Sequence, residues 1–163
     1  MPERETIRRA QQDKREGKSP STQAGEFVRE EIHHIREGKH GATSTKQAIA
    51  IGLSKARRAG VKLPASKGSS ARTKAQAKRD VAKGRKRGTK PSTTRSRATR
   101  KALRSEGRSA ASPSALAKHA RSSARKHTAA ERSAAAKKAA RTKGAAGRSA
   151  AAKKGARKRA RSG

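Results

Sequence analysis

The sequence predicts a mostly α-helical protein with two unlike parts. A small helical hairpin, preceded by a marginal N-terminal helix, is followed by a long basic tail that is disordered when free and helical only conditionally. Three observations carry this. Apolar residues of positions 21–63 recur at helical spacing, cap and stop residues bracket them, and residues 65–163 hold 32 Lys and Arg against three carboxylates, Asp80, Glu106 and Glu131. The first 64 residues carry 14 Lys/Arg against 8 Asp/Glu, so the formal charge of +35 divides into +6 and +29.

Residues 1–20 read as a marginal helix and linker. Positions 3–16 alternate charge and offer only Ile7 and Ala10 for docking, and an isolated helix of that length is barely stable in water. Ser19-Pro20-Ser21-Thr22 breaks it and supplies caps for the next helix. The head proper is 21–63. From about Thr22 to Glu37, the residues Ala24, Phe27, Val28, Ile32 and Ile35 mark one helical face, and Gly38 stops it. Ser44 with Gln47 three residues on is a capping-box pattern that opens a second hairpin helix.

That helix runs to about Ala59, with Ala48, Ile49, Gly52, Leu53 and Ala56 on one face. Its small residues every four positions permit close approach of a neighbour, so Phe27, Val28, Ile32 and Ile35 are expected to pack on Ile49, Leu53 and Ala56 in one small cluster. Gly60, Val61 and Pro64 form the C-terminal stop.

Beyond Pro64, positions 64–163 are low-complexity. The only apolar side chains larger than alanine are Val81, Leu103 and Leu116. Low hydrophobicity with high net charge leaves nothing to offset a backbone ordering cost of about 1–2 kcal/mol per residue. The tail alone is therefore expected not to bury a core. Alanine and lysine favour helix, so segments 69–83, 93–105, 113–127 and 129–142 become helical once phosphates neutralise their repulsion, with Pro91, Pro113, Gly107, Gly144, Gly147 and Gly155 keeping them short. Arg132-Ser133-Ala134-Ala135-Ala136-Lys137-Lys138 returns sixteen residues later as Arg148-Ser149-Ala150-Ala151-Ala152-Lys153-Lys154, an internal duplication.

Charge sets the expected function. Acids are too few to balance the bases, which points to a polyanion partner, and each phosphate neutralised releases counterions. The tail has no Phe, Tyr or Trp for base stacking, so it is expected to bind backbones without reading sequence, with DNA favoured over RNA. The nucleic-acid-binding candidates are Lys39, Lys46, Lys55, Arg57 and Arg58 in the head. In the tail they are Lys83, Arg85, Lys86, Arg87, Arg132, Lys137, Lys138, Arg148, Lys153, Lys154, Arg157, Lys158 and Arg159. The loop from Gly38 to Gly41, leading to Ser44, Thr45 and Lys46, offers an anion the free N–H groups of a helix start.

Other chemistries find little footing. His33, His34 and His40 lack the cysteines or second histidine pair of common zinc sites, so they are read as capping helix carbonyls or facing solvent, and no metal or other cofactor is expected. No nucleophile elbow, P-loop or paired buried carboxylates stand on a scaffold able to preorganise them, so no enzyme activity is expected. There is no cysteine, no membrane span of roughly 20 apolar residues and no secretory signal, which makes the cytoplasm the expected location.

The run Glu31-Ile32-His33-His34-Ile35-Arg36-Glu37-Gly38-Lys39, followed by Ser44-Thr45-Lys46-Gln47-Ala48-Ile49-Ala50-Ile51-Gly52-Leu53-Ser54-Lys55-Ala56, resembles short basic bacterial proteins of a domain-of-unknown-function family, over roughly residues 25–63. Some relatives carry plasmid-stabilisation or DNA-binding labels. The tail is similar in composition to the Ala/Lys-rich arms of linker histones and bacterial histone H1-like proteins. The resemblances imply a bacterial, nucleoid-associated protein that neutralises and compacts DNA. The alternatives are an RNA-binding or ribosome-associated protein, and an adaptor or plasmid-stabilisation factor that works, or self-associates, through the hairpin.

Overall fold

The structure is a computed structural model that describes residues 2–66, 68–85 and 92–160, and within these every side chain but those of Lys154 and Lys158. Every regular element among the described residues is helical. In order they are α1 (Arg4–Arg15), α2 (Pro20–Arg36), α3 (Thr45–Arg58), α4 (Ala71–Arg85), α5 (Thr93–Ser105), a 3₁₀ turn (Ser109–Ala111), α6 (Pro113–Ala124) and α7 (Ala129–Ala160). The chain divides into two units, Met1–His119 and Ala120–Gly163.

The hairpin of the first unit is α2 and α3, and its punctuation is that of the sequence. Ser19 caps α2 by accepting the Thr22 N–H at 3.3 Å, with Pro20 in the first turn. Helix α3 opens with the Gln47 N–H donating to Ser44 Oγ at 3.2 Å. The reciprocal half of the expected capping box is displaced by one residue, since Gln47 Oε1 accepts from the Thr43 N–H at 2.6 Å. Both helices end in a Schellman motif. At the end of α3, the Val61 N–H donates to Ala56 O at 3.0 Å and the Gly60 N–H to Arg57 O at 3.1 Å, with φ +96° at Gly60, a conformation that costs a side chain and suits glycine.

Two apolar clusters form where one was expected. One joins Ala10, Ala24, Phe27, Ala56 and Val61, with Ile7, Leu53 and Leu63 at its edge. It takes in α1, which lays Thr6, Ala10 and Asp13 against the hairpin as buried residues. The other joins Ile32, Ile35, Ala42, Ala48, Ala110 and Ala111, with Val28 and Leu116 against it. Ile49, expected within the hairpin core, is only partly buried. The helices meet closest at Gly52, where an added Cβ would lie 2.7 Å from Val28 Cα. The small-residue face of α3 is thus covered by α2 of the same chain, which removes the surface expected to serve self-association.

The second cluster also shows that the compact unit runs well past the expected head boundary at 63. Ala110 and Ala111 lie in the low-complexity tail, yet both are buried against the hairpin. Their segment is held by backbone polar groups: the Gly41 N–H donates to Leu103 O at 2.7 Å, the Ala42 N–H to Gly107 O at 3.0 Å, Thr45 Oγ1–H to Ala110 O at 2.7 Å and Arg36 Nε–H to Ala111 O at 2.9 Å. Helix α4 docks on α3, burying Ala77 and Asp80. Alanine is enough because the backbones approach closely, so the tail adds to a core it could not build alone.

In the second unit the duplication becomes structural. Thr128 and Glu131 form a full capping box: the Glu131 N–H donates to Thr128 Oγ1 at 3.1 Å and the Thr128 N–H to Glu131 Oε2 at 2.8 Å. Sixteen residues on, Gly144 leaves the helical conformation (φ 65°, ψ 173°) and breaks α7. Arg132 donates to Ala124 O at 3.2 Å, and its duplicate Arg148 to Ala140 O at 2.7 Å, so each repeat reaches eight residues back to a carbonyl of the preceding helical stretch. Gly147 and Gly155, expected as breaks, lie within α7; a helical glycine costs only about 1 kcal/mol against alanine, and their neighbours are strong helix formers.

Replacing Gly52 tests the close approach. Gly52→Ala must push the α2 backbone away, so thermal melts should show destabilisation by about 1–3 kcal/mol, whereas Gly25→Ala, with open space around it, should hold or raise the melting temperature.

Candidate nucleic-acid interface

Most Lys and Arg side chains of residues 1–64 are engaged within the chain. All eight carboxylates of residues 1–64 sit in ion pairs: Glu3, Glu5, Asp13, Glu16, Glu26, Glu30, Glu31 and Glu37. Lys39 lies 3.0 Å from Glu37 Oε2 and 3.5 Å from Glu3 Oε1. These carboxylates, Glu37 first, raise the Lys39 pKa above its ordinary value. Lys55 Nζ is 2.5 Å from Glu31 Oε2. Arg57 Nε–H donates to Leu63 O at 2.9 Å and steadies the turn after α3. Of the five head candidates, Lys46 alone is exposed with no side-chain partner among the described residues.

Within the α2–α3 loop, expected to cradle an anion together with the start of α3, five N–H groups already have acceptors. The N–H groups of Gly38, Lys39, Gly41 and Ala42 donate to the carbonyls of Ile35, His34, Leu103 and Gly107, and that of Thr43 donates to Gln47 Oε1. A signal for this was missing from the sequence, because the acceptors at 103 and 107 lie some sixty residues away in a low-complexity stretch.

Arg58 serves a junction. Its Nε–H donates to Asp80 Oδ1 at 2.9 Å and its Nη2 lies 2.8 Å from the same oxygen, while Ser54 Oγ–H donates to Oδ2 at 2.6 Å and Gln76 Nε2–H to Oδ1 at 3.2 Å. Burial by itself raises the Asp80 pKa, but the hydrogen bonds from Ser54, Arg58 and Gln76 with the Arg58 charge outweigh it and leave the carboxyl below its ordinary value.

Past this junction carboxylates are scarce, with Glu106 and Glu131 alone in the sequence after Asp80. Lys83 and Arg85 are exposed on the last turn of α4, and Lys86 and Arg87 lie outside the described residues. In Ala120–Gly163 there are 15 Lys/Arg and one carboxylate, Glu131. The side chains of Arg132, Lys137, Lys138, Arg148, Lys153, Arg157 and Arg159 are exposed; those of Lys154 and Lys158 lie outside the described ones. At 100° per residue, Lys137, Lys138, Arg141 and Lys143 fall at about 140°, 240°, 180° and 20° from Arg132. Charge therefore surrounds the helix rather than lining one face.

His33 faces solvent as expected, whereas His34 and His40 depart from expectation. His33 is exposed and sits 3.2 Å from Glu37. His34 and His40 are partly buried and converge on Glu31, with one ligand atom of each of the three within 4.8 Å of the others.

Residues 12–67 match the profile of a family of unknown function (DUF6496). The match spans the whole of α2 and α3 with their loop and stops before α4. No curated protein matches the chain, and no solved structure does. Among the described residues no helix is long and apolar enough to cross a membrane.

Asp80→Asn should loosen α4 from α3 and cost about 1–3 kcal/mol, the worth of hydrogen bonds to a charged group. A carboxyl with a lowered folded pKa stabilises above its ordinary pKa, 3.8 for Asp80, and that contribution is lost as pH falls through the lower folded value. Urea melts should therefore show a constant gap between wild type and variant near neutral pH, closing below about pH 3.8.

Proposed function

We propose that this protein binds nucleic acid without enzymatic action and largely without regard to sequence, neutralising and compacting DNA in the bacterial nucleoid through the Lys and Arg side chains of its C-terminal part. The observation that carries the reading is the segregation of charge: the first 64 residues pair every acid with a base, whereas residues 120–163 carry 15 bases against one acid. Phosphate backbones are the polyanion that such an array suits, each neutralised phosphate releasing condensed counterions. Cations all round the helix, with no Phe, Tyr or Trp in the tail to stack on bases, favour contact with more than one duplex over reading a groove.

On this reading the helices of residues 120–160 are the bound form. Free in low salt, their self-repulsion opens them to extended chain, and phosphate restores the helix that alanine content and the Thr128–Glu131 box prescribe. The first unit is the accessory that anchors the array. An adaptor acting through self-association of the hairpin is disfavoured, since α2 covers the small-residue face.

The repeated heptapeptide supplies the test. Replacing Lys137, Lys138, Lys153 and Lys154 by alanine should lower the slope of log K against log salt by about 3–4, at 0.9 per phosphate contact on duplex DNA, equally for duplexes of unrelated sequence. A variant with unchanged slope, or a wild type that holds duplex equally well across several hundred millimolar salt, would refute the proposal; tighter binding to RNA of matched length at equal salt would reassign the partner.

A further inference from the structure

Glu31 is an expensive residue that neither the packing nor the cationic array accounts for. It lies in α2, fully buried, and a carboxylate taken out of water costs several kcal/mol unless its charge and lone pairs are met. Neither of its oxygens accepts a hydrogen bond of good geometry. Its charge is met by Lys55, 2.5 Å from Oε2, and by a contact of 3.1 Å between Oε1 and His40 Nε2.

The tautomer of His40 makes the second contact informative. His40 Nδ1 lies 3.0 Å from the Gly41 carbonyl oxygen, which only accepts, so Nδ1 carries the proton. In the neutral ring Nε2 then turns a lone pair toward Glu31 Oε1. Two acceptors at that distance require a cation between them or a second proton on the ring. His34 brings a third donor to the same place: one ligand atom each from Glu31, His34 and His40 lies within 4.8 Å of the other two. The two rings stand edge to face, 84° apart in plane, and Glu3 Oε1 steadies His34 at 2.8 Å from Nε2.

Two imidazoles and one carboxylate form a donor set for a divalent zinc-class cation, a water completing the tetrahedron. Metal–ligand lengths of about 2.0–2.2 Å separate tetrahedral donors by roughly 3.3 Å. The 3.1 Å pair already fits this spacing, and side-chain rotation closes the rest.

We propose that Glu31, His34 and His40 bind one zinc-class ion, with Oε1 on the metal and Oε2 kept on Lys55. The ion would act as a staple. His40 sits on the loop whose Gly41 and Ala42 amides hold residues 103 and 107, so metal would bind α2 to that loop and through it to the tail segment that completes the second cluster. A chain without cysteine and with small cores gains most from such a tie. The inference stands independently of the nucleic-acid reading.

The test uses the full-length protein, stripped with chelator and titrated with Zn²⁺ alone in phosphate-free buffer. Calorimetry should find one saturable equivalent, weakened at least tenfold by His34→Ala and by His40→Ala and unaffected by His33→Ala, with a melting temperature that rises on Zn²⁺ and returns on EDTA. Absence of a saturable site, a site that survives both His34→Ala and His40→Ala, or one lost with His33→Ala would overturn the proposal. Should those variants fail to fold, wild-type protein with Co²⁺ alone decides: intense visible bands of a four-coordinate site support it, and the weak spectrum of hydrated Co²⁺ overturns it.

Discussion

An excess of 35 positive charges on a chain with only fourteen apolar side chains larger than alanine is the constraint under which everything else is arranged. Self-repulsion opposes any compact state, and apolar burial is too scarce to overcome it freely. Carboxylates consequently occur where chain segments must be joined. Those of the head are all paired, Asp80 fixes α4 to α3 through Ser54 and Arg58, and Glu131 closes the capping box of α7. Each such acid both lowers local repulsion and supplies directed hydrogen bonds, which a leucine in its place would not.

Close approach is the second economy. Where side chains are small, backbones come near enough for alanine to act as core, as at Gly52 against Val28, at Gly41 against the carbonyl of Glu106, and at Gly84 against the last carbonyls of α3. Dispersion contacts accumulate over many short distances rather than from a few large residues. The tail alanines 77, 110 and 111 are buried in this way, although nothing about an alanine within an Ala/Lys/Arg-rich run distinguishes it from its exposed neighbours.

That contrast explains how much was legible in the sequence. The hairpin, its caps at Ser19 and Ser44, and its glycine stops at 38 and 60 are local chemistry, and local chemistry reads directly. Helices in the tail were legible for the same reason, from the propensity of alanine and lysine. The docking of α4 and of residues 103–111 was not, because the first rests on side chains at 54, 58 and 80 that no periodicity links and the second on backbone acceptors and alanines paired across sixty residues or more. Within the candidate interface, exposure of the tail cations followed from composition, while the engagement of Lys55, Arg57 and Arg58 depended on partners at 31, 63 and 80 that no spacing rule connects to them. The convergence of His34 and His40 on Glu31 needed the path of the loop between them.

Charge distributed all round the helices of residues 120–160 is what the proposed compaction rests on, because a one-faced array would satisfy a single duplex and leave nothing for a second. Energy transfer between two short duplexes, each carrying one member of a donor–acceptor dye pair and mixed with substoichiometric full-length protein at low salt, measures this directly. Transfer that appears with protein and disappears as salt is raised is the result the account predicts. Tight binding of each duplex with no transfer at any protein ratio would contradict it.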